Sequence, residues 1–370
     1  MQKEGNFCIN ERSELIMRIM IVAGGTGGHL FPAIRLAEEI KSRRMGDVIF
    51  VASRRNNDSI ILKNKNIKFT TLPVTALQSG GILNILNFTA RLLAGAVKSG
   101  VLLLRFRPSV AIGFGGYISG PIMLMASLFG VKTIIHEQNV YPGKANRMLA
   151  RFAHKIAVSF SDTAAYLEDF QQKIVVSGNP IRKGLERKGT GGAFFTVMVM
   201  GGSQGAHVLN RVVPEAGGLM EKDRRRSLEI IHIAGYKDKD FAIKSYIHNE
   251  VNARVFSFTD QIDKLYNECE FVVGRAGATS VAELLYMAKP SILVPYPHAE
   301  GHQRLNAKVL ENKGIALVLE ESGLTAEVMR DAIVRFMDRD VLRNMASKVI
   351  HEQSRDACDI LIEEINNIVI

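Results

Sequence analysis

Short unbroken runs of apolar residues alternate along this chain with longer stretches in which apolar positions recur every three or four residues. RIMIVA (18–23) is the first unbroken run. LFPAIRLAEEIKSRR (30–44) follows with helical spacing, and DVIFVAS (47–53) is unbroken again. SVAIGF (109–114), PIMLMASLF (121–129) and KTIIHE (132–137) continue the alternation. Strands in the middle of a parallel sheet are buried on both faces, so they read as continuous apolar segments and not as alternating ones. The pattern therefore predicts a doubly wound α/β architecture.

The grammar then restarts. TVMVMGGSQGAHVLNRVV (196–213) repeats the order of RIMIVAGGTGGHLFPA (18–33): apolar strand, glycine pair, small polar residue, glycine, histidine, helix. SLEIIHIAG, ARVFSFTD, EFVVGRAG, PSILVPYP and IALVLE follow as strand candidates. This echo predicts two Rossmann-like domains facing a cleft. The first spans 18–178 and the second 179–345, joined by a basic, glycine-rich connection near 178–193. Residues 1–17 read as a loose polar leader. VLRNMASKVIHEQ and DACDILIEEINNIV read as helices, with 346–370 expected to pack back on the first domain.

At 370 residues the chain is longer than one core usually serves, which agrees with two domains. The net charge of +10 admits nucleic acid, an anionic membrane or an anionic substrate as partner, or simply solubility. No aromatic-interleaved basic strand and no zinc-ligand spacing occurs, so nucleic acid is not expected. Cys8, Cys269 and Cys358 lie far apart, and a disulfide framework is not expected either. The uncharged run 108–131 is interrupted by glycines and prolines and predicts no transmembrane helix. The apolar stretch 82–110 carries Arg91, Lys98, Arg105 and Arg107. It suits an interfacial helix on anionic lipid and equally a buried helix with snorkelling ends.

Glycine clusters stand where strands meet helices. Gly24-Gly25-Thr26-Gly27-Gly28-His29 lets a ligand reach the backbone at a helix start, unless it is only a tight packing turn. It lacks the Walker lysine, and Leu30 stands where a dinucleotide fingerprint needs glycine. His29 is a candidate general base, with a structural histidine as the alternative. GFGGYISGP (113–121) is a second open loop, and the pair suits a pyrophosphate-bearing ligand. His136, Glu137, Gln138 and Asn139 leave the end of a strand and are expected to face the crevice. GGSQGA (201–206) offers Ser203 and Gln204 as a phosphate nest. GRAGATSVAEL (274–284) starts a helix whose positive end suits a diphosphate. Glu283 within it suits two ribose hydroxyls, or is a first-turn acid favoured by the helix dipole. His302, Gln303 and Asn306 of HQRLNA suit sugar hydroxyls.

GGTGGH, GFGGY-SGP, HEQN, GNPIR, GGSQGA, RAGA-S-AE and Q--NA resemble, in this order, the motifs of the MurG family. The resemblance spans nearly the whole chain from residue 18. It implies a B-type glycosyltransferase architecture and transfer of GlcNAc from UDP-GlcNAc to the C4 hydroxyl of MurNAc in undecaprenyl-pyrophosphoryl-MurNAc-pentapeptide, with inversion. The donor contacts it implies are Thr26, Gly27, Gly28, Asn139, Arg182, Ser203, Thr259, Ala278, Thr279, Ser280, Val281, Ala282, Glu283 and Gln303. Thr259 stands where some relatives have Ile, and His302 where some have Gln. Gly115, Gly116 and Tyr117 fall to the acceptor. His29 is the implied base with Glu137 in reserve, and neither metal nor cofactor is expected. The enzyme would sit peripherally on the inner face of the cell membrane. A UDP-GlcNAc 2-epimerase and a non-catalytic nucleotide-sugar sensor are the rival readings.

Overall fold

The computed structural model describes residues 17–25, 27–54, 56–75, 81–185, 194–202, 205–298, 301–349 and 355–369. Most of the leader, Thr26, part of the connection, Ser203, Gln204 and part of VLRNMASKVIHEQ thus lie outside the described residues.

The first lobe runs β1 (Met17–Val22), α1 (Gly27–Ser42), β2 (Gly46–Ala52), α2 (Asn56–Asn64), β3 (Phe69–Thr71), α3 (Ile82–Phe106), β4 (Val110–Gly113), α4 (Ser119–Leu128), β5 (Lys132–Glu137), α5 (Lys144–Leu149), β6 (Lys155–Val158) and β7 (Ile174–Val176). Its strands form one parallel sheet in the order β3-β2-β1-β4-β5-β6-β7. The second lobe runs β8 (Phe195–Met200), α6 (His207–Gly218), α7 (Lys222–Ser227), β9 (Leu228–Ile233), α8 (Lys239–His248), β10 (Ala253–Phe256), α9 (Ile262–Glu268), β11 (Phe271–Gly274), α10 (Ala278–Tyr286), β12 (Ser291–Leu293), α11 (His302–Asn312), β13 (Ala316–Val318), α12 (Ala326–Phe336) and α13 (Arg339–Ser347). Its parallel sheet has the order β10-β9-β8-β11-β12-β13. These are the two Rossmann-like domains that the repeated grammar predicts.

Each sheet is covered on both faces, which is why its strands are uniformly apolar. Ile19 and Ile21 of β1 pack towards α1, whereas Met20 and Val22 pack towards the layer of α3 and α4. Val197 and Val199 of β8 likewise face one layer and Met198 and Met200 the other.

The last element, α14 (Ala357–Val369), leaves the second lobe. Cys358, Leu361, Ile362 and Ile365 join the buried cluster of β1 and α1. Arg35 of α1 pairs with Asp356, Arg43 pairs with Asp359, and Lys155 reaches Glu364. The chain therefore crosses between lobes twice. Among the described residues no helix is long and apolar enough to cross a membrane.

Candidate active site

In open parallel sheets a ligand crevice forms outside the carboxyl ends of the strands, where the strand order reverses. In the first lobe that point lies between β1 and β4. The loops leaving these two strands are the glycine clusters 24–28 and 114–118. In the second lobe the reversal lies between β8 and β11, and the loops there carry GGSQGA and GRAGA. All four glycine clusters thus follow the strands at the two switch points, and the start of α1 meets the start of α10. Thr279 Oγ1, in the first turn of α10, donates to the Gly28 carbonyl at 3.5 Å. Asn179 Nδ2, at the start of the connection, reaches the same Thr279 hydroxyl at 3.5 Å.

His29 lies in the first turn of α1, half buried. Two glycines make room for its ring. A Cβ on Gly115 would stand 3.2 Å from His29 Cε1, and one on Gly116 would stand 2.5 Å from the Gly24 carbonyl. Both residues have left-handed φ, 90° and 79°, which only glycine adopts at little cost. Tyr117 lies across from Gly25. The His29 ring is held from beneath: Nδ1 and Gln138 Oε1 are 2.7 Å apart.

The HEQN side chains depart from expectation. His136, Glu137 and Gln138 are all buried, at most 1% exposed, and turn inward instead of facing the crevice. The reason lies in the topology. β5 is an interior strand between β4 and β6, so polar groups at its end are covered and must satisfy one another. Glu137 Oε1 accepts from the backbone and side-chain nitrogens of Asn139, at 2.9 and 3.1 Å. Its Oε2 accepts from Gly143 N–H at 2.9 Å and from Asn146 Nδ2 at 2.8 Å. Glu137 is the brace of the 138–143 loop, and this geometry speaks against its reserve role as base.

On the second-lobe side, α10 begins at Ala278 after Gly277, with no side-chain cap. Among the described residues, no side chain caps its first N–H groups at the seam. Ala278 and Val281 pack into the core, while Thr279, Ser280 and Ala282 are partly exposed. Arg182 and Glu283, both expected at the donor, meet each other: Nε to Oε1 is 2.7 Å. Tyr266 donates to Glu283 Oε2 at 3.1 Å. Burial pushes the Glu283 carboxyl above its usual range, although Arg182 and Tyr266 act the other way. The Arg182 guanidinium also stands over the Phe31 ring of α1, 5.5 Å away, so it touches both lobes.

Asn306, read as a sugar contact, serves instead as a clamp. Its Oδ1 accepts from Val140 N–H at 3.0 Å, and its Nδ2 donates to Asn139 Oδ1 and the Ala276 carbonyl. His302 Nδ1 lies 2.9 Å from the Tyr141 carbonyl. Gln303 Oε1 accepts from Tyr296 N–H at 3.0 Å. Thr259, in the loop after β10, accepts from Gln261 N–H at 3.0 Å and stays partly exposed. Thr26 and Ser203 lie outside the described residues. Two buried partners were not singled out from sequence, Asn146 and Tyr266. A lone amide in one helix and a tyrosine in another carry no local signal; only the fold sets them beside the carboxylates.

The N-terminal domain model of glycosyltransferase family 28 matches residues 19–158, and the C-terminal domain model matches residues 196–361. A UDP-N-acetylglucosamine--N-acetylmuramyl-(pentapeptide) pyrophosphoryl-undecaprenol N-acetylglucosamine transferase of Syntrophus aciditrophicus is 36% identical over 344 residues, covering 90% of this chain and 94% of the relative. One of the same name from Geobacter sulfurreducens is 34% identical, covering 94% and 98%. The crystal structure of Acinetobacter baumannii MurG superposes with a TM-score of 0.76 at 27% identity, over 95% of this chain and 99% of that one. The resemblance read from the seven motifs and the B-type architecture it implies are both borne out. The chain belongs to glycosyltransferase family 28 and, within it, to the MurG family.

Proposed function

We propose that this chain transfers GlcNAc from UDP-GlcNAc to the C4 hydroxyl of MurNAc in undecaprenyl-pyrophosphoryl-MurNAc-pentapeptide, at the seam between its lobes. The observation that carries this reading is the meeting of the two switch points, with His29 beside the Gly28–Thr279 contact. The first lobe takes the lipid acceptor against Gly115, Gly116 and Tyr117. The second takes the nucleotide sugar along α10, with Thr259 and Gln303 at its borders and Asn139, Arg182, Gly27 and Gly28 on the facing side. In the reaction His29 Nε2 removes the proton from the acceptor hydroxyl. The oxygen attacks the anomeric carbon opposite the leaving group, the bond from that carbon to UDP breaks, and the configuration inverts. The uncapped start of α10 lies where it stabilises charge developing on the departing diphosphate. A general base is worth about 10²–10⁴-fold in rate.

The acceptor's lipid fixes where the enzyme works. α3 presents Leu86, Leu93, Val97 and Leu104 to solvent, and Leu128, Phe129, Met148 and Phe152 extend the exposed apolar surface beyond it. Arg91, Arg105, Arg107 and Arg151 are exposed on the same segments. An apolar stripe with basic flanks suits the surface of an anionic bilayer. The reading is peripheral attachment to the cytoplasmic face of the cell membrane through 82–110.

The test is transfer of labelled GlcNAc from UDP-GlcNAc to a short-chain lipid acceptor analogue. UDP should appear only when the acceptor is present, and His29→Ala should lower turnover about 10²-fold or more while UDP-GlcNAc still binds. Epimerised sugar without acceptor would assign the chain to the rival enzyme class. Binding without any turnover would make it a sensor.

A further inference from the structure

Behind His29 stands a chain of hydrogen bonds that ends on two main-chain carbonyls. His136 Nε2 is 3.0 Å from the Gly178 carbonyl. A carbonyl only accepts, so Nε2 carries the His136 proton and Nδ1 is bare. Gln138 Nε2 donates to that Nδ1 at 2.9 Å and to the His136 carbonyl at 3.1 Å. The second contact fixes which end of the Gln138 amide is nitrogen. Gln138 Oε1 therefore faces His29 and accepts from its Nδ1, 2.7 Å away. With both rings neutral, only one arrangement of protons satisfies every member of the chain, and it leaves the lone pair of His29 on Nε2.

We propose that Gln138 and His136 are positioning residues that hold His29 in its Nδ1–H tautomer, with Nε2 bare for the acceptor proton. The inference rests on the reading of His29 as base. The relay is closed to competing partners. Gln138 is 1% exposed and His136 is fully buried, its ring packed at 4.9 Å against Phe114. Glu137, the neighbouring acid, is occupied by Asn139, Gly143 and Asn146. Burial also lowers the His136 pKa to about 4, so that ring stays neutral in the working range and keeps its acceptor nitrogen. A neutral amide behind the base does one thing that a carboxylate would not. It fixes the tautomer without adding a negative charge to retain the proton once taken.

The experiment is a long-range ¹H–¹⁵N correlation spectrum of the histidine rings in the full-length protein near neutral pH, with His29 and His136 assigned by single substitution. His29 should show a protonated Nδ1 and a bare Nε2, and His136 the reverse. Gln138→Met, which keeps length but loses both hydrogen-bonding ends, should leave His29 without a single tautomer. It should also lower kcat about tenfold or more with the KM for UDP-GlcNAc unchanged. A protonated Nε2 on His29 in the unmodified protein overturns the proposal and takes Nε2 out of the base role as well, whereas an inactive His29→Ala beside a fully active Gln138→Met overturns the proposal alone and leaves the base reading standing. Full turnover in His29→Ala would remove the base, and the relay's purpose with it. A Gln138→Met protein with unchanged tautomer and turnover would also overturn it.

Discussion

Asn306 is the side chain on which the two lobes meet most completely. It is fully buried, and each of its amide atoms has a partner: Val140 and Asn139 from the first lobe, Ala276 from the second. Truncation to alanine would strand the Val140 N–H away from water, at a cost of about 1–3 kcal/mol. Asn306→Ala is therefore expected to lower unfolding stability by about that much in a urea titration. Weaker UDP-GlcNAc binding with unchanged unfolding would instead return Asn306 to the sugar-facing role read from its motif. At this scale the sequence showed which residues matter better than it showed what they touch. HEQN and HQRLNA stood out because polar residues cluster after apolar strands. Periodicity does not say that Glu137 and Asn306 would spend their hydrogen bonds on their own protein, since their partners lie from 2 to 167 positions away.

Among the elements, α3 turns a row of large apolar side chains outward. Its inner face carries Gly95, Ser99 and Leu103, all buried, while leucines and valines stand outward in water. Two of the inward residues are small, so the helix lies close to the loop at Val74. Burying four such exposed side chains in a bilayer is worth several kcal/mol at about 1.5–3 kcal/mol each. Leu93→Glu together with Leu104→Glu should abolish flotation with anionic vesicles and leave the unfolding midpoint unchanged. Flotation of that variant equal to the parent would reject α3 as the anchor. From sequence this segment split evenly between interfacial and buried, because a 25-residue apolar helix with spaced cations satisfies both descriptions. Strand reading succeeded where runs were long. β3, β6 and β7 escaped it: three or four residues bounded by lysines or threonines are too short to display a period.

For the molecule as a whole, the organising fact is that α14 completes a core begun by β1. Leu361 is fully buried there. Leu361→Ala should cost about 2–5 kcal/mol. Protection from hydrogen exchange should fall in α1 and β1 and hold in β8 and β11; equal loss in both lobes would mean that they unfold as one unit. The two-domain plan was legible because the strand–glycine–helix grammar occurs twice. The expectation that 346–370 packs back on the first domain did not say which residues it would cover, since nothing in its composition names them.

The double crossing also bears on how the protein is made. Domains generally fold as they emerge from the ribosome. Here the earlier lobe lacks part of its interior until the later lobe has been synthesised in full and residues 357–369 arrive. A translating ribosome thus carries an unfinished first half with the outer side of α1 bare. The leading half is sealed only when residues 357–369, made after the trailing half, come back to it.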